Sequence, residues 1–214
     1  MKKTKKFIKI AIDSPAAAGA GTLAKSISKH YNLLYVDTGK AYRVLAMYKI
    51  NNPKKFNISF AQKKIKKLKI KDLNKKKLLS NKIGTEASIL AKQKSIRNLV
   101  HKFQIKNAYS PPKRYSGSCL DGRDITYNIV PDADFKFFIT ANIKTRALRR
   151  YRELSQLNMK ISYKEVLKSI ELRDKRDYSR KIAPLKKTKD SILINTTNLS
   201  KRACFLKIKK IIDK

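Results

Sequence analysis

Short runs of apolar, often β-branched residues alternate along this chain with longer segments whose apolar positions recur every three or four residues. The first period fits a buried strand and the second a helix with one buried face. Residues 7–12, 33–36, 115–120, 135–140 and 192–195 predict strands, the third of them weak. Helices are predicted over residues 22–31, 40–50, 86–104, 144–157, 162–176 and 201–212. Pro53 lies just past the second helix, and a turn at Asn158 joins the fourth to the fifth. On 86–104 the inner face is Ile89, Leu90, Ile96, Leu99, Val100 and Phe103. Pro111-Pro112 breaks the chain after it. Residues 54–82 are lysine-dense with short apolar pieces (Ile65, Leu68, Ile70, Leu78, Leu79) and predict a small, solvated insertion. No internal repeat is visible.

Strands alternating with helices predict an α/β fold: a parallel sheet with helices on both faces. The 214 residues suit a single domain. Ligands of such sheets sit beyond the C-terminal strand ends. Here those ends read 13–22, 37–43 and 121–124, each polar and each carrying Asp, Gly or Arg. The first is the most informative. A phosphate-binding loop reads G-x-x-x-x-G-K-[ST] between a buried strand and a helix. This chain has the context, but Ser14 replaces the first glycine and Ala20 stands at the lysine position. Main-chain N–H groups from Ala17, Ala18, Gly19, Ala20, Gly21 and Thr22 can still face a phosphate at a helix N-terminus. The lysine charge that meets the β- and γ-phosphates is missing. Two readings of this segment stand: a phosphate cradle, and a plain Ala/Gly-rich strand-to-helix turn.

Charge sharpens the picture only after correction. Lys and Arg number 53 against 15 Asp and Glu, a net charge of +38. That balance by itself points to nucleic acid or an acidic membrane. The lysines, however, are spread over nearly every segment beside many Asn and Ile, the mark of AT-rich coding. The arginines are few and placed: Arg43, Arg97, Arg114, Arg123, a group from Arg146 to Arg152, Arg173, Arg176, Arg180 and Arg202. A position that keeps arginine among so many lysines points to the planar fork that grips phosphate or carboxylate bidentately. Arg114 and Arg202 are the expected ordinary surface residues. No RNA- or DNA-binding signature accompanies the charge, so a nucleic-acid partner is not expected. Cys119 and Cys204 match no zinc or disulfide spacing, which fits a reducing cytoplasm. No apolar run reaches membrane-spanning length, and Lys2 to Lys6 leads into a strand too short for a signal peptide. His30 and His101 have no partner at metal-ligand spacing.

The order Ile12-Asp13-Ser14-Pro15-Ala16-Ala17-Ala18-Gly19-Ala20-Gly21-Thr22, Asp37 to Arg43, Asp121-Gly122-Arg123-Asp124, then Arg173 to Arg180 and Ala183-Pro184-Leu185 resembles the bacterial cytidylate kinases, of P-loop NTPase fold. The likeness runs from about residue 7 to the C-terminus. That family's loop usually ends Gly-Lys-Gly-Thr, so Ser14 and Ala20 depart from it, and 54–82 is short and lysine-rich for its CMP-binding insertion. The resemblance implies transfer of the γ-phosphoryl group of ATP to CMP or dCMP by a cytoplasmic, monomeric enzyme. It implies an acceptor-binding insertion near 54–85 and a lid near 148–184. Phosphoryl transfer between nucleotides needs a donor cradle, an arginine clamp on the acceptor phosphate, and cover from water. By resemblance the clamp is Arg43, Arg123 and Arg180, with Arg180 arriving from the lid.

Further roles are implied in the same way. Arg173 and Asp177, four apart on one helical face, face the sugar. Thr38 and Tyr42 belong to the acceptor pocket. Asp124, Arg97 and Ser88 read cytosine, although Ser88 also suits a plain helix surface. Asp121 and Thr22 hold Mg²⁺. Of Arg146, Arg149, Arg150 and Arg152, the first two and Arg150 share a helix face; Arg149 and Arg150 are expected to replace the missing lysine at the donor phosphates. Lys25 is expected to point away from position 20, and Lys40 is a third candidate. The rival reading motivated by Ala20 is a nucleotide-binding descendant without catalysis.

Overall fold

A computed structural model describes residues 7–214; the basic opening at Lys2 to Lys6 lies outside the described residues. Five strands form one sheet: β1 (Ile8–Asp13), β2 (Leu34–Asp37), β3 (Gly117–Gly122), β4 (Phe135–Thr140) and β5 (Ile192–Asn195). Their order is β2-β3-β1-β4-β5, and every pairing is parallel. Side chains on a strand point alternately to its two faces, so a parallel sheet buried on both must find two cores. β1 shows the division. Ala11 joins Val36 and Leu120 in one core, while Ile10 and Ile12 join Phe137 and Ile194 in the other.

The second core is closed by α1 (Ala20–Tyr31) and α8 (Lys201–Ile212), through Leu23, Ile27, Cys204 and Ile208. The first is closed by α2 (Thr38–Asn51), α3 (Ile58–Lys66), α4 (Asn81–Leu90) and α5 (Lys94–Tyr109). Beyond β4, α6 (Ile143–Gln156) and α7 (Tyr163–Ser179) pair through a small core of their own, Ala147, Leu154, Val166 and Ile170. Their turn at Asn158 is as expected, with φ +55, a left-handed value that Asn tolerates. A Ser162–Glu165 capping box starts α7. Among the described residues, no helix is long and apolar enough to cross a membrane.

Two expectations change, and one element was not expected. The helix over 86–104 is two helices, α4 and α5, broken at Ala91 to Gln93. Ile96, Val100 and Phe103 share one buried face, but Leu90 lies six residues before Ile96, about 240° round a continuous helix. Both are fully buried, so the chain must break between them, and Ile89 is left 40% exposed. The insertion over 54–82 is not merely solvated: α3 and two 3₁₀ turns send Ile65, Leu73 and Leu78 into the core. A short π-helical turn at Ile125–Ile129, absent from the periodicity, follows β3.

Candidate active site

The strand ends converge as the fold class requires. β1 delivers Asp13 and a loop into α1, whose N-cap Gly19 has φ +93. Ala17 stands at φ +60, a conformation that costs a non-glycine residue roughly 1–2 kcal/mol. At position 17 the loop therefore keeps a glycine-like path without a glycine. Ala18 and Ala20 are buried against Leu23 and Ala24. No charge comes from position 20 itself, but one stands near. Arg149 Nη1 lies 3.8 Å from where a Cβ on Gly19 would be. It is held there by Thr196 of the segment after β5, donating to Thr196 Oγ1 at 2.9 Å and, through Nη2, to its carbonyl at 2.7 Å. Thr196 Oγ1 in turn donates to the Ala18 carbonyl at 2.9 Å.

The neighbouring arginines go elsewhere. Arg150 binds Glu153 at 2.5 Å and the Leu79 carbonyl. Arg146 is buried, paired with Asp174 at 2.6 Å, and donates to the carbonyls of Ala16 at 3.0 Å and Ala141 at 2.9 Å. Helix spacing puts 146, 149 and 150 on one face; the three guanidinium groups nonetheless have three destinations. Lys25, expected to point away, runs along the wall of the same cavity, 5.8 Å above the Tyr35 ring. Lys40 is taken by Asp37 at 3.6 Å.

This cavity holds about 650 Å³ and runs from the Ser14–Thr22 loop to Arg43, Arg123 and Arg173. Asp121 closes its floor. Among the described residues its Oδ1 is buried with no hydrogen-bond partner, and burial, with Asp37 beside it, pushes its carboxyl up to about 8. A Cβ on Gly21 would stand 3.4 Å from Asp121 Oδ2, so the loop passes directly over the carboxylate. An unpartnered buried carboxylate oxygen under a phosphate loop is the donor set a hard divalent cation uses.

Opposite the loop, four guanidinium groups face one another. Burial, then the charges of Arg173 and Arg150, lower Arg43 to about 9. Burial, then Arg123, lowers Arg173 to about 10. Arg43 donates to the Leu78 carbonyl at 2.6 Å, and Gly84 of α4 leaves it room: a Cβ there would stand 2.8 Å from its Nη2. Arg123 Nε donates to Asp177 Oδ2 at 2.7 Å, while Arg173 Nε, 3.7 Å from the same oxygen, has no hydrogen-bond partner. Asp37, Asp121 and Glu153 on the wall and Asp177 behind it stand against these four cations, with Lys25, Lys40, Arg149, Arg152 and Lys201 also lining the cavity, so positive charge is in excess there.

A second buried cluster lies behind Arg123. Arg97 and Asp124 are ion-paired, Asn128 donates to Asp124 at 2.7 Å, and Arg180 Nη2 approaches it at 3.4 Å. The Tyr42 ring lies 6.0 Å from the Arg97 guanidinium carbon. Arg180 also donates to the Ala183 carbonyl at 2.7 Å. The 122–126 turn that carries Arg123 and Asp124 is pinned by Asp13, which accepts the N–H groups of Ile125 and Thr126 at 2.8 and 3.0 Å and the Thr126 hydroxyl at 2.6 Å.

Most residues singled out from the sequence thus fall in these two connected groups. Four are otherwise engaged: Ser88 donates to the Thr85 carbonyl at 2.8 Å and accepts from Arg176 at 2.9 Å, the Thr38 hydroxyl donates to the Asp121 carbonyl at 2.8 Å, Arg150 is turned to Glu153 and Leu79 rather than to the loop, and Arg180 is held by Asp124 and Ala183 rather than among the clamp arginines. Sequence reasoning missed the Asp13 anchor, Thr196 and Asp174. Asp174 lay within the Arg173 to Arg180 motif; nothing marked Thr196. Arg114 and Arg202 are exposed, as expected. His30 packs edge-on against Tyr31 and Phe205.

A crystal structure of an uncharacterized protein from Eubacterium ventriosum superposes with a TM-score of 0.56 at 18% identity, over 97% of this chain and 99% of that one, which supports the fold alone. Sequence relatives are nearer. A cytidylate kinase of Bartonella tribocorum is 41% identical over 92% of this chain and 90% of its own length. One from Thermosipho melanesiensis is 38% identical over 95% and 96%, and one from Mesomycoplasma hyopneumoniae 37% over 97% and 94%. The family model described as cytidylate kinase matches residues 10–214. With the match running from β1 to the last residue, this chain belongs to the cytidylate kinase family.

Proposed function

We propose that the protein transfers the γ-phosphoryl group of ATP to CMP or dCMP, giving ADP and CDP or dCDP. The observation that carries this reading is the cavity with a phosphate loop at one wall and mutually repelling arginines at the other. An anionic acceptor would offset both the burial and the mutual repulsion that lower Arg43 and Arg173. An acceptor phosphate oxygen forms a bond to the γ-phosphorus as the bond to the β–γ bridging oxygen breaks. Charge spreads over the transferring group, and fixed cations stabilise it without reorganising. Arg43 and Arg123 sit on the acceptor side, Arg149 on the donor side, in the space the loop lysine would serve. Mg²⁺ bound by Asp121 and Thr22 would neutralise charge on the donor phosphates.

The sugar is assigned to Arg173 and Asp177, and the base to Arg97 and Asp124 beside Tyr42; Arg180, expected in the phosphate clamp, rests on Asp124 and the Ala183 carbonyl and would join the clamp only on leaving them. Asp124 gives a cytosine amino group an acceptor once Arg97 turns from it to the ring. Ser88 reaches the base only if Arg176 releases it. Residues near 54–85 and 148–184 form the acceptor-binding insertion and the lid. Purified protein with ATP and a panel of nucleoside monophosphates tests the reading: CMP and dCMP should be turned over in preference to AMP and GMP. In Asp124→Ala, CMP should bind roughly 10–100-fold more weakly, for the loss of one buried polar partner, with ATP affinity unchanged. Tight nucleotide binding with no turnover would favour the non-catalytic descendant.

A further inference from the structure

The donor loop holds a path that its own residues disfavour, since Ala17 stands in the left-handed region where glycine is at home. Such a conformation persists only where the surroundings impose it. They do so through the residue just before it. The Ala16 N–H donates to Asp174 Oδ1 at 3.3 Å, and the Ala16 carbonyl accepts from Arg146 Nη1 at 3.0 Å. The Ala16 carbonyl carbon is the first atom of the Ala17 φ torsion. A bond that fixes its oxygen fixes the plane from which that torsion is measured. Arg146 and Asp174 also hold each other at 2.6 Å, and Arg146 Nε is braced on the Ala141 carbonyl.

Neither side chain lines the cavity. A buried ion pair is a poor way to gain stability alone, since well-packed apolar residues of similar size often do as well or better. Here both partners are spent on the two main-chain groups of one loop residue.

We propose that Arg146 and Asp174 are positioning residues that clamp the Ala16 main chain, hold Ala17 left-handed, and so set the loop for the donor phosphates before any nucleotide arrives. This rests on the reading that the loop receives the donor. Asp174 lies on α7 next to Arg173 and three residues before Asp177, so the same helix that reaches the acceptor side holds the donor loop in place.

The test uses the full chain with Asp174→Asn, Arg146→Lys, Ala17→Gly, and Ala17→Gly combined with Asp174→Asn. Without nucleotide, the backbone amide coupling of Ala17 is read by NMR, together with hydrogen exchange at the Ala16 amide. In Asp174→Asn the Ala17 coupling should leave its left-handed value and Ala16 exchange should quicken. ATP should bind about tenfold more weakly, the equilibrium cost of forcing one alanine back into that region. CMP affinity should stay within about twofold of the wild type. Adding Ala17→Gly should restore ATP affinity to within about threefold, because glycine enters the left-handed region freely. Arg146→Lys, which keeps the charge and loses the fork, is expected to do the same more mildly and serves if Asp174→Asn does not fold. Unchanged Ala17 coupling, equal loss of ATP and CMP binding, or no recovery with glycine would overturn the clamp. Failure of the wild type to bind ATP would instead sink the donor reading, while the Ala17 coupling would still report on the clamp.

Discussion

On the function proposed, the two walls of the cavity would handle phosphate by different means. The donor wall offers main-chain N–H groups and a helix N-terminus, and the side chains of its loop from Ser14 to Gly21 carry no charge. The acceptor wall offers guanidinium groups: Arg43, Arg123, Arg150 and Arg173. Main-chain recognition has no side-chain identity to protect, so a glycine or a lysine can be replaced provided something else holds the path and supplies charge. Arg146, Asp174 and Thr196 bond to the main chain there, and Arg149, held beside Gly19, would supply the charge on that reading. Side-chain recognition allows no such freedom, since the fork itself makes the contact.

The sharpest way to break this contrast is a conservative change at the acceptor wall. Arg123→Lys keeps the charge but loses the fork that serves Asp177 through Nε and the Gly122 carbonyl through Nη1 while leaving Nη2 for a phosphate. It should lower kcat/KM by on the order of 10³-fold, with the loss at the CMP side and little change in ATP affinity. Turnover near the wild type would mean that charge suffices at the acceptor wall, and the contrast would fail.

What the sequence made legible follows the same line. β1 and β4 were readable because a parallel sheet buries apolar runs, β3 was weak because Gly117 to Gly122 is not such a run, and the arginines were readable because they stand out against a lysine-rich background. The α4–α5 break was hidden because it contains neither Gly nor Pro; only the incompatible burial of Leu90 and Ile96 in three dimensions reveals it. The π-helical turn after Asp124 is held by Asp13 from 112 residues away, which no local pattern records. Thr196 and Asp174 act on main-chain groups of the loop, a use for which neither residue type carries a signature. Ala20 marked a missing charge; where another would come from needed the fold.

Asp13 joins the two walls, and its titration offers the second test. Burial raises its carboxyl from 3.8 to about 6, against the opposing bonds from Thr126 and Ile125. Between those values the native state holds a proton that the unfolded chain has released. Stability from this group is therefore lost as pH rises through the window, and levels off above it. The ceiling is about 3 kcal/mol, because each tenfold change in proton affinity between the two states is worth about 1.4 kcal/mol. Urea unfolding of the wild type and Asp13→Asn at a pH of about 4.5 and again at about 7.5, on either side of most of that window, isolates it. The wild type's advantage over the variant should shrink at the higher pH. An advantage that grows with pH would mean that Asp13 is ionised throughout, held so by its three donors.

The smallest expected effect bears most directly on the donor wall. If Arg149 already serves the donor phosphates, restoring a lysine at position 20 gains little. Ala20 is buried against Leu23 and Ala24, so a lysine there must thread its stem past apolar neighbours to bring its ammonium into the cavity. We expect Ala20→Lys to change kcat/KM by less than about threefold, and Arg149→Ala to lower it about tenfold, the scale of one charge-assisted contact. Lys25→Ala should cost less than Arg149→Ala, because Lys25 lies over Tyr35 and is not fixed against the loop by hydrogen bonds such as those from Thr196. Combining Arg149→Ala with Ala20→Lys should recover most of the loss, since both cations address the same phosphates. A wild type that shows no turnover at any Mg²⁺ or ATP concentration, with activity appearing only in Ala20→Lys, would show that the main chain and Arg149 together do not replace the lysine. The donor wall would then depend on side-chain identity as strictly as the acceptor wall does.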